Sequence, residues 1–199
     1  WPEAVAIAAD VAWSGRVGGV YKTKLIEATP SFSFDHLLLS EETFLRTRRM
    51  GLRLSHAWTS RTDLFVEAAH SYLDYGRTSD FPTAEEREGV TVEGTAGAGH
   101  RFGPAHAVFG RVTVAGVGAA RSYNGYRRYS PTVGHAWLLG RGLFLLSAVT
   151  MNADFYYDSD PFVDPRVRKD ASFRARSTLG VPLGLAHKSL ADLLFTFTY

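Results

Sequence analysis

Cysteine is absent from all 199 residues, so there is no disulfide framework, no thiolate metal site and no redox pair, and cysteine usage says nothing about compartment. No uninterrupted apolar run approaches about 18 residues, which excludes a helical membrane span. The start carries no charged-then-apolar leader. It begins at Trp1 rather than Met, which reads as a processed or trimmed chain, so that any export signal would already be gone. No charge sign dominates: Lys plus Arg is 22, Asp plus Glu is 20, and the formal net charge is +2. A nucleic-acid partner, which calls for a strongly basic face, is therefore not expected. Lysine is scarce, limited to Lys22, Lys24, Lys169 and Lys188, and Met occurs twice. The other cations are Arg, which can pair bidentately with carboxylate or phosphate, although the bias also fits genome composition.

What is present is apolar and aromatic. Hydrophobic residues make up 45% and aromatic ones 13%, spread over the whole chain, which excludes low-complexity disorder. Nineteen Gly, thirteen Phe and nine Tyr lean towards β-structure. Period 2 is visible almost throughout. Ile26, Ala28, Pro30, Phe32 and Phe34 alternate with Glu27, Thr29, Ser31, Ser33 and Asp35; Met50, Leu52, Leu54, His56 and Trp58 alternate with Arg49, Gly51, Arg53, Ser55 and Ala57. The same alternation runs through Val90–Gly99, Val108–Gly116, Ser172–Val181 and Leu193–Tyr199. It gives each strand one apolar and one polar face, and no window of 11 or more residues fits a helical stripe as well. The pattern predicts strands at 4–14, 22–36, 44–59, 62–76, 88–102, 106–121, 128–139, 142–157, 170–184 and 190–199.

Connections are of two kinds. Short ones are Ser60–Arg61, Phe102–Ala105, Leu139–Gly142 and Leu185–Ser189; long polar ones are Gly76–Arg87, Ser122–Arg127 and Asp158–Asp170, rich in turn formers. They alternate, so an up-and-down meander puts tight turns at one end and long loops at the other. With no linker and no repeat beyond the hairpin, residues 1–199 read as a single domain.

Many antiparallel alternating strands fit either a soluble barrel or sandwich, whose apolar face packs inwards, or a membrane barrel, whose apolar face meets lipid. Three features favour the second. Arg49, Arg53, Glu67, Glu93, Arg111, Arg174 and Arg176 stand in mid-strand on the polar faces among Thr, Ser and Gly, which suits a wet or ion-paired interior. Aromatics cluster at strand ends: Trp13, Trp58, Trp137, Tyr72, Tyr75, Tyr123, Tyr126, Tyr129, Phe155, Tyr156 and Tyr157, where polar-tipped rings prefer membrane–water interfaces. Several strands also exceed the mean soluble length and reach the about 9–11 residues a tilted crossing needs.

The segment Leu190–Tyr199, apolar at alternate positions and ending on an aromatic, resembles the C-terminal signal of bacterial outer-membrane β-barrels. Tyr156-Tyr157-Asp158, Arg166 to Asp170 and Val181-Pro182-Leu183 stand in the order found in the barrel module of outer-membrane exporters that carry tetratricopeptide repeats. That second resemblance covers about thirty residues, and no tetratricopeptide segment is present. The likeness implies an up-and-down transmembrane barrel of about ten strands in this chain, closed alone or as part of a larger barrel. Its implied partners are the lipid bilayer, the barrel-insertion machinery and, within an assembly, other envelope proteins. Bacterial barrels usually turn long loops outwards and keep the C-terminus periplasmic. The hairpin count instead puts Tyr199 at the long-loop end, so the long loops face the periplasm, the count is off by one strand, or the barrel is incomplete.

Chemistry-bearing constellations are sparse. His36, His56, His70, His100, His106, His135 and His187 are scattered, with no H-E-x-x-H spacing and no metal set. Gly94, Gly97, Gly99, Gly116 and Gly118 belong to glycine-rich strands rather than to a phosphate loop, since no helix follows. Glu67, His70 and Ser71 invite a lipid-modifying hydrolase, yet His70 and Ser71 point to opposite faces of one strand. The expectation is a non-enzymatic outer-membrane barrel without cofactors, serving as a translocation pore or structural wall for export of polymer, protein or solute. Its lumen would be lined by the seven charged residues named above. The alternatives are a lipid-modifying outer-membrane hydrolase and a soluble barrel carrying an apolar ligand.

Overall fold

In the computed structural model, residues 11–39, 42–79, 81–140, 142–160, 165–183 and 191–198 are described. Alternation of small or β-branched residues with polar ones yields strands and no α-helix among them. In chain order these are β1 (Val11–Gly18), β2 (Tyr21–Lys22), β3 (Glu27–Leu39), β4 (Glu42–Ala57), β5 (Thr62–Tyr75), β6 (Gly89–Arg101), β7 (His106–Val117), β8 (Tyr126–Gly140), β9 (Leu143–Tyr156), β10 (Lys169–Leu183) and β11 (Ala191–Thr198). Ten of them form one antiparallel up-and-down sheet in the order β1-β3-β4-β5-β6-β7-β8-β9-β10-β11, with the two-residue β2 pairing β3 at one side. Among the described residues no pairing joins β1 to β11.

From β4 to β11 the strand bounds follow the periodicity to within a few residues. The expected first strand at 4–14 lies mostly outside the described residues; β1 runs on to Gly18 because Ser14, Gly15, Arg16 and Val17 continue the alternation against Asp35 to Phe32. The described connecting residues 76–79, 81–88, 118–125, 157–160 and 165–168 lie at one end of the sheet, and 19–26, 58–61 and 102–105 lie at the other. β11 runs towards the long-loop end, as the hairpin count expects.

Exposure along the strands runs opposite to that of a water-soluble sandwich. Val133 is 64% exposed while its neighbour Thr132 is 4% exposed, and Met50, Val92, Met151 and Phe173 are all more than half exposed. Apart from Leu39, the buried described residues are small or polar, with Ala69, Ala115, Ser71, Thr91, Ser130, Thr132 and Asp154 among them, and no large side chain is fully buried among the described residues. The chain exposes 14312 Å². A soluble monomer of 21.9 kDa exposes about 9,300 Å² by the usual scaling. Among the described residues there is thus no packed apolar core; from β4 to β9 the polar face is the more enclosed one, while Arg111 and, in β10, Ser172, Arg174 and Arg176 are exposed.

Hydroxyls and amides hydrogen-bond across strands on that face. Thr95 pairs Thr113 at 2.8 Å, Thr132 pairs Thr150 at 2.9 Å, and Ser130 donates to Asn152, which donates in turn to Ser172. Three glycines, Gly97, Gly134 and Gly180, let aromatic rings approach this wall closely. A Cβ on Gly97 would stand 2.6 Å from the Phe65 ring and 2.7 Å from the Gly110 carbonyl oxygen, and one on Gly134 would collide with the Phe109 ring.

Gly134→Ala should therefore lower unfolding stability by about 1–2 kcal/mol through overpacking. Phe109→Ala in the same chain should recover part of that loss, because the two positions are directly paired. Equilibrium unfolding of the two single variants and the double variant checks the coupling; simple additivity would show that ring and glycine do not touch.

Candidate functional site

Strand register decides which charged residues meet. Arg53 pairs Glu67, Glu67 pairs Thr95, and Thr95 pairs Thr113. Arg49 lies four residues from Arg53 and Glu93 two from Thr95, so both share that face. Arg111 pairs Gly97 and Thr132, Thr132 pairs Thr150, and Thr150 pairs Arg174, with Arg176 two residues on. All seven residues singled out from the sequence therefore fall on the polar face.

They divide into two groups. Arg49 contacts Glu93 at 2.5 Å and Glu67 at 3.8 Å, and Arg53 reaches Glu67 at 3.9 Å while its guanidinium lies 3.7 Å above the Phe65 ring. This is a compensated network of half-exposed side chains. Arg111, Arg174 and Arg176 are exposed and have no carboxylate within ion-pair distance among the described residues. His70 and Ser71 do point to opposite faces: His70 is exposed, opposite Met50 and Val92, and Ser71 is buried opposite Arg49 and Thr91.

A further charge pair on the polar face, bidentate and with a buried carboxylate, is one the sequence reading did not single out. Arg128 donates from Nε to Asp154 Oδ1 at 2.7 Å and from Nη2 to Asp154 Oδ2 at 2.6 Å, a bidentate fork. Asp154 is only 7% exposed. The two are neighbours solely through the β8–β9 register, 26 positions apart, which periodicity along one strand does not reveal.

At the long-loop end of the same face, Tyr75, Tyr126, Tyr156, Arg87, Arg128, Arg168, Glu93 and Asn124 line a cavity of about 450 Å³, floored by Leu73, Thr91, Ala115 and Val117. Tyr126 and Tyr156 are register partners with ring centroids 5.2 Å apart. Arg128 lies 5.0 Å over the Tyr126 ring and Arg168 4.9 Å over that of Tyr156. Not all the strand-end aromatics, then, form one girdle on the apolar face. Tyr126 is two residues from Arg128, Tyr156 two from Asp154, and Tyr75 eight from Glu67, and even spacing forces them onto the polar face. Tyr129 and Phe155 do occupy the apolar face, packed edge to face at 5.9 Å, and Trp137 there stacks on His106 at 5.4 Å. The Trp13 side chain lies outside the described residues.

The loops above the cavity hold one another. The backbone N–H groups of Ala120 and Arg121 donate to Glu88 and Glu86, the Asn124 amide also donates to the Glu86 carbonyl, and Tyr157 N–H donates to Gly125. The Tyr123 hydroxyl donates to the Glu86 carboxylate at 2.5 Å, which raises the Tyr123 pKa above its ordinary value. Arg77 forks onto Glu85, so the guanidinium holds that carboxyl below the usual range. Arg168 Nε donates to Asp170 at 2.9 Å, which raises its pKa further. Among the described residues no group of three or more His, Asp or Glu could hold a metal ion.

No family model matches the chain, and no curated protein or solved structure matches it.

Asp154→Asn should cost about 2 kcal/mol, because it leaves the Arg128 guanidinium facing a neutral amide. Adding Arg128→Gln should return much of that, read as coupling in a double-mutant cycle. A pH effect follows from Tyr123. Its raised pKa means the tie to Glu86 is fully present below the unfolded value of about 10 and is lost as pH rises through the folded value. Cleavage by an alkali-tolerant protease within 118–125 should therefore stay low up to about pH 10 in the parent chain and increase above it. In Tyr123→Phe that segment should already be cut at pH 8, with no further rise.

Proposed function

We propose that the chain forms the wall of a bacterial outer-membrane β-barrel, acting as a translocation pore or structural membrane component for polymer, protein or solute, rather than as an enzyme. The observation that carries this reading is the inverted exposure pattern: apolar side chains on the open face, and Arg, Glu, Thr and Ser on the enclosed one. Water makes such a surface unfavourable by about 25 cal/mol per Å² of apolar area, whereas hydrocarbon removes that cost. Strands of 12 to 16 residues from β3 to β10 are long enough for a tilted crossing. Every strand on the ten-strand path pairs its neighbour, so among the described residues the outer edges of β1 and β11 are the ones without partners in the sheet. Hydrocarbon tolerates no open edge. In this reading those edges close on each other or on further strands, with the lipid bilayer and the insertion machinery as partners.

The decisive measurement is extraction and migration. The protein should leave membranes only with detergent and should run at different apparent sizes in heated and unheated gels; a water-soluble monomer would end the proposal. Val112→Arg, on the open face, should cost about 2–4 kcal/mol in a bilayer near the midplane, while Thr113→Arg on the enclosed face should cost clearly less. In planar bilayers, Gln at Arg111, Arg174 and Arg176 together should move the reversal potential towards cation preference. No shift would exclude those side chains from the conduction path.

A further inference from the structure

The cavity at the long-loop end is separate from the Arg111–Arg174–Arg176 group and does not depend on whether the wall conducts. Its charges nearly cancel. Arg128 is engaged by Asp154, Arg168 by Asp170 and Arg49 by Glu93. Arg87 is left over: it lines the cavity and makes no ion pair among the described residues. The site therefore carries one uncompensated positive charge beside three carboxylates. A monoanion fits that balance, while the second charge of a phosphate monoester would be repelled by the carboxylates.

The remaining lining selects the body of the ligand. The hydroxyls of Tyr75 and Tyr126 reach no protein hydrogen-bond partner among the described residues, and the Asn124 carboxamide and Thr91 hydroxyl stand on the same lining. This is a dense set of neutral donors and acceptors around ring faces. The volume of about 450 Å³ exceeds one hydroxylated six-membered ring and suits about two. The interlocked loops hold the Tyr156 side and the Arg87 side of the opening in fixed relation, so ligand ordering costs little.

We propose that this cavity binds a sugar acid: one or two hydroxylated rings carrying one carboxylate in all, with that carboxylate on Arg87 and the ring hydroxyls on Tyr75, Tyr126 and Asn124. The full chain in detergent, titrated calorimetrically with galacturonate and with a disaccharide of one galacturonate and one neutral hexose, tests it. Galactose, benzoate and inorganic phosphate serve as comparison ligands. Both uronates should bind, galactose and benzoate should bind at least tenfold more weakly, and phosphate should not compete. Arg87→Gln should weaken uronate binding about tenfold or more, the usual worth of a charge-assisted hydrogen bond. It should leave galactose unaffected, and Tyr126→Phe should weaken both sugars. Arg61→Gln, in the opposite connection, should change nothing. Heat-modifiable migration like that of the parent would show that each variant is folded. Absence of uronate binding, equal binding of benzoate or phosphate, or indifference to Arg87→Gln would each overturn the assignment. None of these outcomes touches the membrane reading, which the extraction experiment decides by itself.

Discussion

Side chains along a β-strand alternate between two faces, and the antiparallel ladder locks that alternation across ten strands. A slip of one residue anywhere would carry Arg53 or Asp154 to the open face and Leu54 or Phe155 to the enclosed one. Everything else depends on that register: the ion pairs, the hydroxyl ladders, the glycine–aromatic contacts and the cavity at the loop end. The sheet is held together by backbone pairing and polar cross-strand contacts, without a buried apolar core, so its apolar surface remains available to whatever solvent surrounds it.

Charge is distributed unevenly over the enclosed face. Arg49, Arg53, Glu67 and Glu93 form a compensated group in the middle strands, and Arg128 with Asp154 forms a second. Arg111, Arg174 and Arg176 share ladder rows with Thr132, Thr150, Phe109 and Gly134 and have no acidic neighbour there among the described residues. Exposed ion pairs of the Arg53–Glu67 kind contribute little stability, on the order of 0–1 kcal/mol. Their effect is better described as shaping the local potential than as holding the sheet together.

Strand positions from β4 onwards were legible in the sequence because period 2 is a local signal and turn formers bracket each run. The seven charged positions were legible for the same reason: parity within one strand decides the face. Two things were not legible. The Arg128–Asp154 fork depends on how β8 is registered against β9, a non-local quantity that pattern counting does not contain. The Tyr75, Tyr126 and Tyr156 cluster was hidden because the eye groups aromatics by proximity to strand ends, where parity relative to Arg128, Asp154 and Glu67 was the deciding clue. Neither the cavity nor the mutual grip of the loops could be found without coordinates, since Arg87 and Asn124 come from connections that carry no periodicity.

The neighbour-only order of the sheet has a consequence for how the chain acquires its shape. Each strand on the path pairs first with the strand next in sequence, so the separations between partners are those of successive hairpins. Loop-closure entropy is then met in small instalments rather than in one long-range search. Assembly can progress like a zip from any completed hairpin, adding one strand at a time, and the edges of β1 and β11 are the last to be reached.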